Sequence, residues 1–301
     1  MAMESPRAHT CLSSGEITSQ DRRMIRHPCV TLRSVAILAV VIVLGLSMPA
    51  QAFAETLEQR IARLEPHFMV ARPDAAGRAP VVLMLHGCGG HRPFQNDFAD
   101  AAVQAGAAVV QIDSYAPRRI SRAAAIATIC TGMRMHGRER AGDLYAAFAW
   151  AQRQDWADPE RIIAIGWSHG GWTIMDALAL RPGEEMKRAT GIEDLSDEPL
   201  AGLSGAMLVY PYAGVGSSVG RRDWRFALRS VAIVAERDYI VGPTRGALER
   251  QRARGTPLDI HVFENATHAF EDEFAADPRV RYNPAATARE HALLRELIEA
   301  L

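Results

Sequence analysis

The stretch AIGWSHGGW, residues 164–172, decides the fold. The apolar run Ile162-Ile163-Ala164-Ile165 stops at Gly166-Trp167-Ser168-His169-Gly170-Gly171, and an apolar helical pattern resumes with Trp172, Ile174, Met175 and Leu178. A buried strand joined to a helix by so tight a turn needs glycine on both sides of the apex to keep the two backbones from colliding. The apex residue, Ser168, is then held above the carboxyl edge of a sheet. The N–H of His169 leaves the first helical turn there, and the positive end of the helix dipole lies beneath it. The lysine of a P-loop is absent and G-x-G-x-x-G is not matched, so the turn does not read as a phosphate cradle.

Outward from this turn, Val81–Leu85, Ala107–Ile112, Arg161–Ile165, Gly205–Tyr210, Ser230–Ala235 and Leu258–Phe263 are apolar runs of strand length. Between them lie helical patterns at Phe94–Ala105, Arg138–Arg153, Gly242–Arg254 and Ala285–Leu301. A helix over Leu57–Leu64 and an edge strand near His67–Ala71 come first. Continuous apolar strands alternating with helices predict an α/β fold, a mostly parallel doubly wound sheet with helices on both faces. Residues 183–203 and 213–228 show little regular pattern and read as insertions bordering the site.

Composition adds bounds. The 301 residues are 48% hydrophobic with a formal net charge of −1, ordinary globular values that suggest no nucleic-acid partner. Arg22, Arg23, Arg26 and Arg33 precede the apolar stretch Val35–Leu46 and then the small residues Ala50-Gln51-Ala52. This order reads as a signal peptide over residues 1–52, with Met24 as an alternative start and a retained N-terminal anchor as the alternative fate. Residues 53–301 are then one domain, periplasmic or secreted, with no membrane association after cleavage. Cys88 and Cys130 are the cysteines left after processing. An even pair in an oxidising compartment is expected to form a disulfide, the alternative being two buried thiols.

A serine hydroxyl needs a base to take its proton, and in a strand–turn–helix fold the acid and then the histidine follow after later strands. Asp238 follows the Ser230–Ala235 strand and is the expected acid, with Glu236 as its rival. His268 follows the Leu258–Phe263 strand and is the expected base, whereas His261 sits inside that strand. The catalytic set is therefore Ser168, Asp238 and His268. The oxyanion donors are the backbone N–H groups of His169 and of Cys88, or of a glycine beside Cys88 in His86-Gly87-Cys88-Gly89-Gly90. Trp167 and Tyr239 adjoin these positions and are expected in the pocket wall. Arg118, Arg119, Arg134 and Arg138 read as solvated charge or as a carboxylate-binding entrance. The histidines show no metal-ligand spacing, so no metal is expected.

Together His86–Gly90, Asp113-Ser114-Tyr115-Ala116-Pro117-Arg118, Gly166–Gly171, Asp238 and His268-Ala269-Phe270 resemble the dienelactone hydrolase family of the α/β-hydrolase superfamily, over about residues 78–298. The resemblance implies an α/β-hydrolase fold, ester or lactone substrates and no cofactor. Archetypal members carry a cysteine nucleophile where this chain has Ser168. That departure shifts the expectation from dienelactone toward small-molecule carboxylic esters cleaved through an acyl-enzyme. A peptidase of the same fold and a non-catalytic binding protein on a hydrolase scaffold are the competing readings.

Overall fold

The computed structural model describes residues 54–301. The export segment expected over residues 1–52 therefore lies outside the described residues. In chain order the elements are α1 (Leu57–Leu64), β1 (Phe68–Ala71), β2 (Ala79–Leu85), α2 (Phe94–Gln104), β3 (Ala108–Ile112), α3 (Arg122–Thr128), α4 (Gly137–Ala151), β4 (Ala157–Trp167), α5 (His169–Ala179), α6 (Glu184–Thr190), β5 (Leu203–Val209), β6 (Arg229–Ala235), α7 (Arg245–Ala253), β7 (Leu258–Phe263) and α8 (Pro284–Glu299).

The strands form one seven-stranded sheet in the order β1-β3-β2-β4-β5-β6-β7. Every pairing is parallel except that of β1 with β3, which runs antiparallel with Phe68 opposite Ile112 and Ala71 opposite Val109. Alternate residues of each strand feed two cores. Leu83, Leu85, Ala164 and Leu208 pack with Leu144, Phe148, Ile174 and Leu178 on one face. Val82, Met84, Ile163, Ile165 and Met207 pack with Phe98, Ala102 and Leu294 on the other. Such strands are apolar at every position because neither face meets water. Each fully buried aliphatic side chain contributes ~1.5–3 kcal/mol, so the cores and not local propensity hold the sheet together.

Two readings of the sequence need correction. Residues 183–203 are not wholly irregular. They carry α6, whose first turn holds Glu184 and Glu185 and whose last holds Lys187 and Arg188, a charge order that suits the helix dipole. The strand before the serine turn also starts earlier than Arg161, at Ala157, because Ala79 pairs with Ala157 before the register shifts to Val81 opposite Ile162. Asp158-Pro159 sits in that irregular part, where a missing N–H costs the ladder little.

Among the described residues no helix is long and apolar enough to cross a membrane. Cys88 and Cys130 are disulfide-bonded, with Cα atoms 5.1 Å apart. The bridge ties the loop after β2 to the end of α3.

Candidate active site

The turn between β4 and α5 is as tight as its glycines imply. Ser168 adopts φ 52° and ψ −107°, a conformation costly for a non-glycine residue. A Cβ on Gly166 would lie 2.3 Å from the carbonyl carbon of Gly170, and one on Gly170 would lie 2.1 Å from the carbonyl oxygen of Leu85. Neither position has room for a side chain. The strained serine is held on both sides, its N–H donating to Val209 O at 2.8 Å and its carbonyl accepting from Trp172 N at 3.0 Å and Tyr212 N at 3.2 Å.

Asp238 and His268 leave the carboxyl ends of β6 and β7. His268 Nδ1 lies 2.7 Å from Asp238 Oδ2. A carboxylate only accepts, so this contact places the imidazole proton on Nδ1 and leaves Nε2 free to take one. The other oxygen, Asp238 Oδ1, accepts from the N–H groups of Ile240 and Val241, each at 3.0 Å. Glu236, the rival acid, is engaged elsewhere, accepting from Asn265 N at 2.8 Å. His261 stays within β7.

Ser168, His169, His268 and Cys88 all line one cleft of about 430 Å³. No hydrogen bond joins Ser168 Oγ to His268 in this structure among the described residues. Such contacts often tighten only when substrate is bound. Gly87 approaches the serine closely, since a Cβ there would lie 3.7 Å from Ser168 Cβ. Cys88 and His169 both line this cleft, and the N–H of His169, at the start of α5, has no acceptor within its own helix.

The pocket-wall expectation is corrected in part. Trp167, only 1% exposed, lines the cleft as expected, with its ring edge-on to Phe94 and Phe98. Tyr239 is 70% exposed and does not line the cleft. The turn closed by Asp238 Oδ1 presents the next two residues instead, and Ile240 and Val241 line the cleft with Ile126, Ile129, Trp172 and Tyr212. Arg118 is neither solvated nor at the entrance. Its Nη1 and Nη2 bind Asp143 at 2.9 and 2.8 Å.

Below the loop that follows β2 lies a buried polar layer that sequence reasoning missed. Asp143 bridges Arg118 and Arg60. Burial alone would raise its pKa, but the two guanidiniums outweigh that and hold the carboxyl well below the usual carboxylate range. Arg140, fully buried one turn earlier on α4, donates from Nε to Ser114 Oγ at 2.8 Å and from Nη1 to His86 O at 2.6 Å. His169 Nε2 donates to Met135 O at 2.7 Å, while Nδ1 faces Arg140 Nη1 at 3.4 Å. Burial, with Arg140 close by, pushes the His169 pKa down to about 3, so this ring stays neutral. Arg140 thus puts positive charge under the carbonyl of His86, next to the loop that carries the Cys88 N–H. Its place in a regular amphipathic helix gives no hint of burial in the sequence.

Among the described residues no group of three or more His, Cys, Asp or Glu side chains is arranged to hold a metal ion. The family model described as the dienelactone hydrolase family matches residues 67–191. No curated protein sequence matches the chain. Among solved structures, a Klebsiella pneumoniae protein assigned as a dienelactone hydrolase is similar with a TM-score of 0.60 and 16% identity, covering 78% of this chain and 92% of that one. Esterase 2 of Thermogutta terrifontis, phosphonylated by cyclosarin, is similar at 0.56 and 14%, covering 77% and 88%. The dienelactone hydrolase of Anabaena variabilis is similar at 0.51 and 19%, covering 77% and 90%. At these identities the likeness is one of fold.

Proposed function

We propose that the chain, whose residues 67–191 match the family model described as the dienelactone hydrolase family, is a serine hydrolase of carboxylic esters and lactones. Ser168 Oγ attacks the ester carbonyl while His268 Nε2 takes its proton. Asp238 holds the imidazole in the Nδ1–H tautomer and stabilises the imidazolium as it forms. The N–H groups of His169 and Cys88 receive the tetrahedral oxyanion. As the C–O bond breaks, the proton passes from His268 to the leaving alcohol and an acyl-enzyme remains. Water attacks that acyl group by the same route and restores Ser168. The chemistry needs no cofactor.

The observation that carries this reading is the 2.7 Å contact between His268 and Asp238 at the cleft that Ser168 lines. The apolar lining by Ile126, Ile129, Trp172, Ile240 and Val241 suits an alkyl or aryl acyl group, while Arg92, Arg122, Asp272, Asp277 and Arg279 border the same cleft. The Cys88–Cys130 disulfide supports a periplasmic or secreted location for a single domain of residues 53–301.

Hydrolysis of a short-chain p-nitrophenyl ester, together with labelling by a fluorophosphonate, tests the proposal. Ser168→Ala is expected to abolish both while circular dichroism stays unchanged. Labelling that persists in that variant would remove Ser168 as the nucleophile.

A further inference from the structure

We propose that Glu271 and Glu290 share one proton and, through Tyr210 and Trp167, hold the serine turn and the His268 loop in register. The inference rests on the site assignment above, in that Trp167 directly precedes Ser168 and Tyr210 packs on His268.

Both carboxyls are buried in the second core, Glu290 at 0% and Glu271 at 3% exposure. Tyr210 Oη donates to Glu271 Oε2 at 2.9 Å, and Trp167 Nε1 donates to Glu290 Oε1 at 3.0 Å. The two remaining oxygens, Glu271 Oε1 and Glu290 Oε2, are buried and have no other partner. They belong to side chains that are neighbours in this core, each carboxyl acting on the ionisation of the other. Two buried neighbouring carboxylate charges would repel strongly, and a proton held between the two unpartnered oxygens relieves that repulsion. One proton therefore completes a chain that runs Trp167, Glu290, Glu271, Tyr210.

The chain ends at the reaction centre. The rings of Tyr210 and His268 lie 4.5 Å apart. Tyr210 itself sits at φ 34° just past β5, strained like Ser168, with its N–H fixed to Ile233 O at 2.8 Å. Glu271 follows His268 by three residues on the same loop, while Glu290 projects from α8. The pair thus joins an element outside the site to both the nucleophile turn and the base.

The charged and titratable neighbours support a shared proton and offer no competing partner. Burial, then the neighbouring carboxylate, moves Glu290 well above the ordinary carboxylate range, and burial raises Glu271. Tyr210 is raised well above its ordinary value by burial and by Glu271, so its hydroxyl remains a donor. His268 and Asp238 face the pair from the loops after β7 and β6. His291, next to Glu290, turns instead to Phe98 with ring centroids 4.0 Å apart, and the neighbouring Asp272 is committed to Arg92.

Glu290→Gln and Glu271→Gln test this, because one amide N–H supplies permanently what the shared proton supplies. Either variant is expected to retain kcat/KM near pH 7 within about threefold and to lose less activity than the parent as pH rises, since it has no proton to give up. Stability gives a readout independent of catalysis. A carboxyl whose folded pKa is raised stabilises fully below its ordinary pKa of about 4.5, and the contribution fades as pH rises toward the folded value. The Tm of Glu290→Gln, measured against the parent, is therefore expected to gain between pH 5 and pH 8. Parallel Tm curves, or pH–rate profiles that superimpose, would overturn the shared proton. A parent that neither hydrolyses esters nor takes up a fluorophosphonate would remove the esterase reading, and the Tm comparison would still decide the pair.

Discussion

Asp238 and His268 meet at 2.7 Å although 30 residues of chain separate them, because β6 and β7 are parallel neighbours that deliver both loops to one edge. The carboxyl is 4% and the imidazole 9% exposed in their side chains, so water screens the contact little. Asp238→Asn is expected to leave the fold standing and to lower kcat by about three to four orders of magnitude, through the wrong tautomer of His268. Initial-rate kinetics alongside circular dichroism checks this. A loss under about tenfold would mean that the contact does not orient the base.

Gly170→Ala is expected to destabilise the protein by about 3 kcal/mol or more, because its Cβ would overlap a backbone oxygen of β2 that has no freedom to retreat. Urea unfolding of this variant beside the parent measures it. An unchanged midpoint would mean the turn is looser than the 2.1 Å approach to Leu85 O requires.

Removing the disulfide with Cys88→Ser and Cys130→Ser together is expected to lower stability by about 3–4 kcal/mol, the loop-closure entropy of a span of 42 residues. Both cysteines also line the cleft, so KM for an aryl ester is expected to rise with the loss of that wall. Guanidinium unfolding with and without a reductant, followed by kinetics on the reduced protein, separates the two effects.

Asp143 sets a limit at acid pH. Its folded pKa is depressed, so its contribution is present above the ordinary value of about 3.8 and is lost as pH falls toward the folded value. Asp143→Asn is expected to cost about 3–5 kcal/mol at neutral pH, since it leaves Arg118 without its buried counter-charge and Arg60 with Glu55 alone. The variant should also show a shallower loss of stability below pH 4. Unfolding measured from pH 3 to pH 7 tests both statements.

What the sequence disclosed follows from where order is written locally. The strands Val81–Leu85 and Val231–Ala235 are legible because burial on both faces leaves no polar position, and the edge strand Leu258–Phe263 is legible from its apolar residues despite Asp259 and His261. The serine turn is legible because glycine alone fits at residues 166 and 170. The contact of Asp238 with His268 follows from strand order once the fold is known. The exposure of Tyr239 does not, because it depends on how the N–H groups of Ile240 and Val241 close the turn on the Asp238 carboxylate. Arg140, Glu271 and Glu290 are illegible for a related reason. A charge on a helix or loop reads as solvated surface, and only the three-dimensional neighbours of these residues show that they are buried and paired. The short helix Glu184–Thr190 was missed because its seven residues include only two that are buried, Met186 and Thr190.

The covalent tie from residue 88 to residue 130 divides labour along the upper rim of the sheet. The proposed bond-breaking side chains arrive from β4, β6 and β7, whereas one flank of the opening belongs to the span that this bond closes, which also threads β3 into the sheet. Exchanging the whole span would therefore disturb the sheet and the proposed oxyanion donor together.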